Sequence, residues 1–301
     1  MKKSILYVGL VIILLSWVGN YLYFSMNQLD KPVMLKHYYQ KHIEEETLFE
    51  LHYLINRNQV VDISTIHIPG LDYVQIIDEG HQYNTYRHHE LKTVFVKIDK
   101  HVLEDKIKDG FVINEVEAFL TNGERVIYDI GEITLGEWKR GPFEFRAAGG
   151  SSDGSSFDFV AAEEDLTLHS YEVPYLERLS NGLTLFVNHE QASLTPIAIE
   201  MRNGHHLPDD NPSEKLKDVT VDKLDQNIFP LELKTGDFLN VEHHFSFTNI
   251  DPNRHHYYYF EVEFNGETKN GSSFIHGTVL HYNPYFSEYD IKQIIKEERG
   301  K

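Results

Sequence analysis

Polar and apolar positions follow three successive regimes along the chain. From Ile5 to Phe24 the sequence ILYVGLVIILLSWVGNYLYF carries no charge and no alternation. At 1.5 Å per residue, twenty such residues reach about 30 Å, the thickness of a bilayer's hydrocarbon core. A membrane helix is expected here. The second regime, period-2 alternation, begins at Thr47, where Phe49, Leu51, Tyr53 and Ile55 alternate with Glu50, His52, Leu54 and Asn56. That is the pattern of a half-buried strand. VVDISTIHI repeats it and stops at the Pro69-Gly70 turn, and further strands are expected at Tyr73–Ile77, Thr93–Ile98, Val112–Leu120, Arg125–Ile130 and Phe143–Arg146. Asn122-Gly123 between two of them is a hairpin signal, because both residues tolerate positive φ. Later strands are expected at Leu183–Val187, Pro196–Met201, Phe229–Leu233, Leu239–Thr248, His256–Phe264 and Phe274–His281. Their turns are Asn203-Gly204, Thr235-Gly236-Asp237, Asp251-Pro252-Asn253 and Asn265-Gly266.

The third regime is helical and terminal. Ser287 with Asp290 three residues on makes an N-cap, and Tyr289, Ile291, Ile294 and Ile295 form an apolar stripe through to about Glu298. Two segments resist assignment. Pro32 followed by VMLKHYYQKHI fits a short helix or an extended run, and Ala147–Ser156 (AAGGSSDGSS) fits a hairpin loop or a linker.

Many short strands without helical crossovers favour antiparallel sandwiches over βαβ units. The expected fold is mainly β: a transmembrane anchor over 1–24, a stem over 25–32, immunoglobulin-like β-sandwich modules over 33–171 and 172–285, and a C-terminal helix over 286–301. The two halves echo each other. Phe143-Glu144-Phe145 and Asp153–Phe157 precede Phe260-Glu261-Val262 and Asn270–Phe274 at one offset, whereas Leu135–Trp138 matches Thr235–Phe238 at another. Duplication and shared turn chemistry both account for this. The run Phe229–Phe247 (FPLELKTGDFLNVEHHFSF) resembles the strand-turn-strand corner of bacterial immunoglobulin-like sandwiches; it spans about twenty residues and implies no activity.

Orientation follows from the flanks. Lys2 and Lys3 precede the apolar helix, which places the N-terminus in the cytoplasm and the body outside. Trp17, Tyr21 and Tyr23 fall where the outer headgroups would lie. A cleaved signal peptide needs small residues at the cleavage site, yet Leu14, Trp17 and Tyr23 stand two residues before Ser16, Gly19 and Ser25, and the first alanine in the chain is Ala118. An uncleaved anchor is the expectation. Met1–Ser4 is too short for a cytoplasmic signalling domain.

Composition narrows the partners. The chain of 301 residues has 41% apolar and 13% aromatic content, enough for real cores, and no cysteine, so neither disulfides nor a lipid-modified cysteine can contribute. Its net charge is −19, which repels phosphate polymers. Nucleic acid binding and docking onto anionic lipid are therefore disfavoured, while a protein partner in the envelope stays open.

Candidate chemistry is sparse. Gly150-Ser151-Ser152-Asp153-Gly154 matches G-x-S-x-G, but FDFVAA follows where a nucleophile elbow requires a helix, so a loop is expected. Asp165 and His169 downstream do not make a triad by proximity alone. Four histidine pairs, His88-His89, His205-His206, His243-His244 and His255-His256, could supply zinc or copper ligands, yet neighbours on a strand point to opposite faces. The acidic runs Glu44–Glu46, Glu163–Asp165 and Asp209-Asp210 lack calcium-loop spacing. Tyr257–Phe260 could line a binding face, although alternate rings of a strand normally face the core. Catalytic, cofactor and metal residues are accordingly expected to be none. The expected function is a membrane-anchored extracytoplasmic binding or accessory module of a bacterial envelope, with a hydrolase or metal-dependent enzyme, or a structural subunit of a membrane complex, as alternatives.

Overall fold

The computed structural model describes residues 3–58, 61–71, 74–103, 110–137, 139–151, 154–179, 182–188 and 228–299. The expected strand Pro196–Met201, the turn Asn203-Gly204, the pair His205-His206 and the acids Asp209-Asp210 lie outside them. The chain is mainly β with an apolar N-terminal helix, α1 (Lys3–Met26). Residues Tyr7–Met26 of α1 are long and apolar enough to cross a membrane, and none of this span is buried against protein. A helix apolar around its whole circumference has no polar face to offer water.

Two compact units follow, and their division does not fall near Tyr171. One unit comprises residues 1–37, 43–135 and 284–301, and the other residues 38–42 and 136–283. The physical reason is pairing across the expected boundary: strands before Tyr171 find their partners after Leu231.

In the first unit, β1 (Val33–Met34), β3 (Glu46–Asn56), β5 (Gln75–Thr85) and β6 (His89–Asp99) form an antiparallel sheet in the order β1-β3-β6-β5. The ambiguous run after Pro32 is therefore extended, not helical. A second set, β4 (Ile63–His67), β7 (Phe111–Leu120) and β8 (Arg125–Gly136), pairs as β4-β7-β8. Alternation holds: Val126, Tyr128 and Ile130 of β8 are buried, and Ile127 and Asp129 between them are exposed. Gly123 takes φ +84° at the expected Asn122-Gly123 turn. After β6 comes one turn of helix, α2 (Lys100–Leu103), which buries Leu103.

The second unit has β2 (His37–His42), from Tyr38 on, beside β15 (Tyr257–Thr268), which also pairs β11 (Leu166–Glu172) and β16 (Ser273–Tyr282); β13 (Leu231–Leu233) extends the β11 edge. Its other sheet runs β12-β14-β10-β9, from Leu183–Asn188, Phe238–Phe245, Ser155–Ala162 and Phe143–Gly150 respectively. One apolar cluster joins the two sheets, with Val160, Val241 and Phe245 from one and Leu168, Phe260, Phe264 and Leu280 from the other. A single helical turn, α3 (Leu176–Leu179), adds Leu179 to it.

Two sequence expectations change here. Ala147–Gly150 belongs to strand β9, because backbone pairing with β10 needs no side chains. Of the echoing segments, Gly154–Phe157 and Asn270–Phe274 both sit at hairpins of the same unit, with Gly154 at φ +86° and Gly271 at φ +81°, so they are not matching elements of the two units. Shared turn chemistry accounts for them.

The last helix, α4 (Glu288–Arg299), belongs to the first unit. Its cap is the expected one: the Asp290 carboxylate accepts from Ser287 N at 2.8 Å, and Asp290 N donates back to Ser287 Oγ at 3.3 Å. Ile291, Ile294 and Ile295 are buried.

Candidate functional site: a polar groove in the second unit

Edge strands β9 and β16 terminate the two sheets of the second unit, each paired on one side only among the described residues. Between them and β10 lies a groove of about 750 Å³. Its volume falls within the range of small-molecule and peptide pockets. The walls combine rings (Phe143, Phe145, Phe157) with small residues of β9 (Ala148, Gly149, Gly150) and polar groups (Arg140, Ser156, Asp158, His276). Phe145 is 65% exposed, an aromatic surface open to a ligand.

The polar groups arrive through strand alternation. Along β10, Val160 and Ala162 face the core, so Asp158 and Ser156 face the same way two and four residues earlier. Along β14, Leu239, Val241 and Phe245 do likewise, which carries His243 inward. On β16, Leu280 faces the core, and Thr278 and His276 follow it inward. An apolar interlayer thus becomes polar at one end.

Burial then perturbs these groups. The Asp158 carboxyl is pushed up from its ordinary value by desolvation and by the charge of Glu261, against a backbone hydrogen bond that lowers it. Its Oδ1 is buried without a hydrogen-bond partner. Desolvation holds His276 down at about 4, with Arg140 adding to the effect, and both ring nitrogens are buried without a partner. His243 is likewise held at about 4 by burial and then by its histidine neighbours. Its Nε2 lies 2.6 Å from Ser156 Oγ. Unmade hydrogen bonds on buried groups cost about 1–3 kcal/mol each. A buried group without a protein partner calls for a water, an ion or a ligand to satisfy it.

The sequence motifs fare differently. Gly150–Gly154 is a hairpin tip between two strands, not a strand-to-helix elbow, and its Ser152 and Asp153 lie outside the described residues. The histidine pairs are taken up separately: His89 binds Asn27 O at 2.8 Å while His88 packs edge-on against Tyr23, Phe24 and His89 itself, and His243 faces the core while His244 does not. Strands β14 and β15 sit in different sheets, so the Asp251-Pro252-Asn253 turn does not bring His243 and His256 together as a hairpin would. Among the described residues no group of three His, Asp or Glu converges as a metal site. Glu46 pairs with Lys97, and Asp165 accepts from Thr235 and Lys269, which hold it down at about 2. Of the aromatic run, Tyr257, Tyr258 and Phe260 are core residues.

No local signal in the sequence marks Asp158 as inward-facing. In S-S-F-D-F-V the aromatic residues Phe157 and Phe159 invite an inward assignment, yet Phe159 stacks on Phe238 at 4.8 Å, on the face opposite to Val160 and Asp158. The run Val160-Ala161-Ala162, buried at every position, held the parity only weakly.

No family model and no curated protein matches the chain. Among solved structures, a Porphyromonas gingivalis protein of unknown function is similar at 9% identity and TM-score 0.23, covering 83% of this chain and 96% of that one. Fibronectin(III)-like modules of Clostridium thermocellum CbhA follow at 6% identity and TM-score 0.20, covering 83% and 91%. The Enterococcus faecalis MSCRAMM ACE, described as binding its ligands by the collagen hug model, stands at 12% identity and TM-score 0.20, covering 86% and 96%. At such scores these likenesses carry no argument about activity.

Proposed function

We propose that this protein is a single-pass, membrane-anchored binding module of a bacterial envelope, with its body outside the cytoplasm, and that it holds an uncharged ligand in the groove between β9 and β16. One observation carries the reading: buried, unpartnered hydrogen-bonding groups of Asp158 and His276 line a groove with an open aromatic wall. Burial disfavours the charged forms of both groups, in a chain of net charge −19. A ligand that supplies hydrogen bonds and an apolar face, without a full charge, suits such a site.

The Ser156–His243 pair is the feature that favours hydrolysis. A general base works best with a pKa near the operating pH, and His243 at about 4 is a weak acceptor at neutrality. Binding is the stronger reading.

The test uses the full chain in nanodiscs against arrays of peptides and envelope glycans. Captured species should be lost with His276→Leu, and with Ala148→Trp, which fills the groove from the exposed position paired with Asp158. Capture unaffected by both changes would overturn the site. Anchoring is tested separately, since a processed N-terminus near Asn20 or Met26 would remove it.

A further inference from the structure

The end of α1 is fastened to the first unit from several sides. Leu29 and Asn56 exchange a reciprocal pair of hydrogen bonds at 2.7 Å, His89 Nε2 meets Asn27 O, and the Arg299 guanidinium donates to the carbonyls of Met26 and Gln28. Helix α4 is thereby fixed beside the point where the apolar span ends. A cavity of about 260 Å³ lies between them, lined by Met26, Asn27, Lys292, Ile295, Lys296 and Arg299.

The charge there runs against the whole chain. Tyr289, Lys292, Lys296 and Arg299 recur at spacings of three, four and three residues, which puts them on one face of α4, all exposed, while Ile291, Ile294 and Ile295 bury the other face. Of the acids on this helix, Asp290 is committed to the cap and Glu288 accepts from Arg87 N; Glu297 and Glu298 lie away from the stripe. A basic last turn is ordinary complementarity to a helix dipole. That account covers Lys296 and Arg299, but not Lys292 two turns from the end, nor the cavity shared with the membrane helix.

We propose that the α1–α4 cleft is a binding site for the headgroup of an anionic phospholipid in the outer leaflet. Lys292 and Lys296, which line the cavity, supply the charge. Arg299 fixes the cleft's wall through the α1 carbonyls. The proposal rests on α1 remaining in the bilayer and is independent of any ligand in the β9/β16 groove. Net charge argues against docking on anionic lipid, but a Debye length of about 8 Å at physiological salt leaves the local cluster in control of the local field.

The experiment reconstitutes the full chain in nanodiscs of equimolar phosphatidylcholine and phosphatidylglycerol and counts the lipids retained after detergent release by native mass spectrometry. Wild type should retain phosphatidylglycerol preferentially. Each of Lys292→Gln and Lys296→Gln should lower that preference about five-fold, the equivalent of roughly 1 kcal/mol per basic residue at a lipid surface. Lys139→Gln and Lys269→Gln, in the second unit, should leave it unchanged. Equal retention of the two lipids by wild type would overturn the proposal, as would a preference that the α4 variants keep. Loss of the preference in millimolar inorganic phosphate would also overturn it, as the mark of a plain anion site. A chain that fails to enter nanodiscs because its N-terminus is processed would remove both the anchor and this site.

Discussion

His52 and His276 are both buried on strands, yet their rings are served in opposite ways. In the first unit, His52 Nδ1 pairs with Thr93 Oγ1 at 2.8 Å, its Nε2 lies 3.4 Å from Glu50, and its ring stacks on His37 at 5.7 Å. In the second unit, neither nitrogen of His276 has a hydrogen-bond partner, and its ring rests 4.5 Å from Phe143 at the groove. The same residue type thus serves as a structural tie in one place and as an open binding group in the other. Burial alone does not distinguish them; partnering does.

The comparison predicts opposite stability effects for one substitution. His52→Leu should destabilise the chain by about 3–4 kcal/mol, since Thr93 and Glu50 lose a partner and the stack with His37 is lost. His276→Leu should change stability at pH 7 by less than about 1 kcal/mol in either direction, because an unpaired polar ring gives way to an apolar side chain of suitable size. Denaturant unfolding of the nanodisc-held chain measures both. Equal losses would erase the distinction between tie and binding group.

Acid should separate them next. His276 and His243 hold folded pKa values near 4 against an unfolded value of 6.5, so the folded state resists protonation that the unfolded chain accepts. Their contribution is complete above pH 6.5, falls as pH drops through that window, and levels below about 4. Each contributes on the order of 2–3 kcal/mol across the window. His89 and His281 are lowered by burial too, so His276→Leu should flatten part of the acid-side slope between pH 6.5 and 4 and leave the rest to the other three. A slope identical to that of wild type would mean that His276 titrates normally and is not desolvated.

Sequence and structure agree wherever the determinant is local. The apolar run of α1, the Ser287–Asp290 cap and the turn at Gly123 are each set within a few residues and form as expected, whereas β3 alternates only as far as Leu51: His52, Leu54 and Asn56 are buried as well, because both faces of the strand's second half are covered. Strand pairing, by contrast, is nonlocal. Strand β10 pairs with β14 some eighty residues on, for example Ser156 with His243, and β11 pairs with β13 and β15. No local pattern announces such partners, which is why the division fell at Leu135 and not at Tyr171. The groove shares that origin: Asp158 and Ser156 on β10 and His276 on β16 converge only once two sheets pack across their shared apolar cluster.

Asp158→Asn is the smallest change and the sharpest probe of the groove's character. The Asp158 carboxyl is raised in the folded state, so its effect has the sign opposite to that of the histidines: it is absent below the unfolded value of 3.8 and destabilises progressively as pH rises through the folded pKa. The amide keeps the shape without the charge. Stability at pH 7 should then rise slightly, and the gain should vanish toward pH 3. Capture of an uncharged ligand should survive the change, because an amide can still donate and accept. A cationic ligand would be lost, since its counter-charge is gone. If Asp158→Asn abolished capture while His276→Leu spared it, the groove would be a cation site, and the proposal of an uncharged ligand would fall with the roles of the two residues reversed.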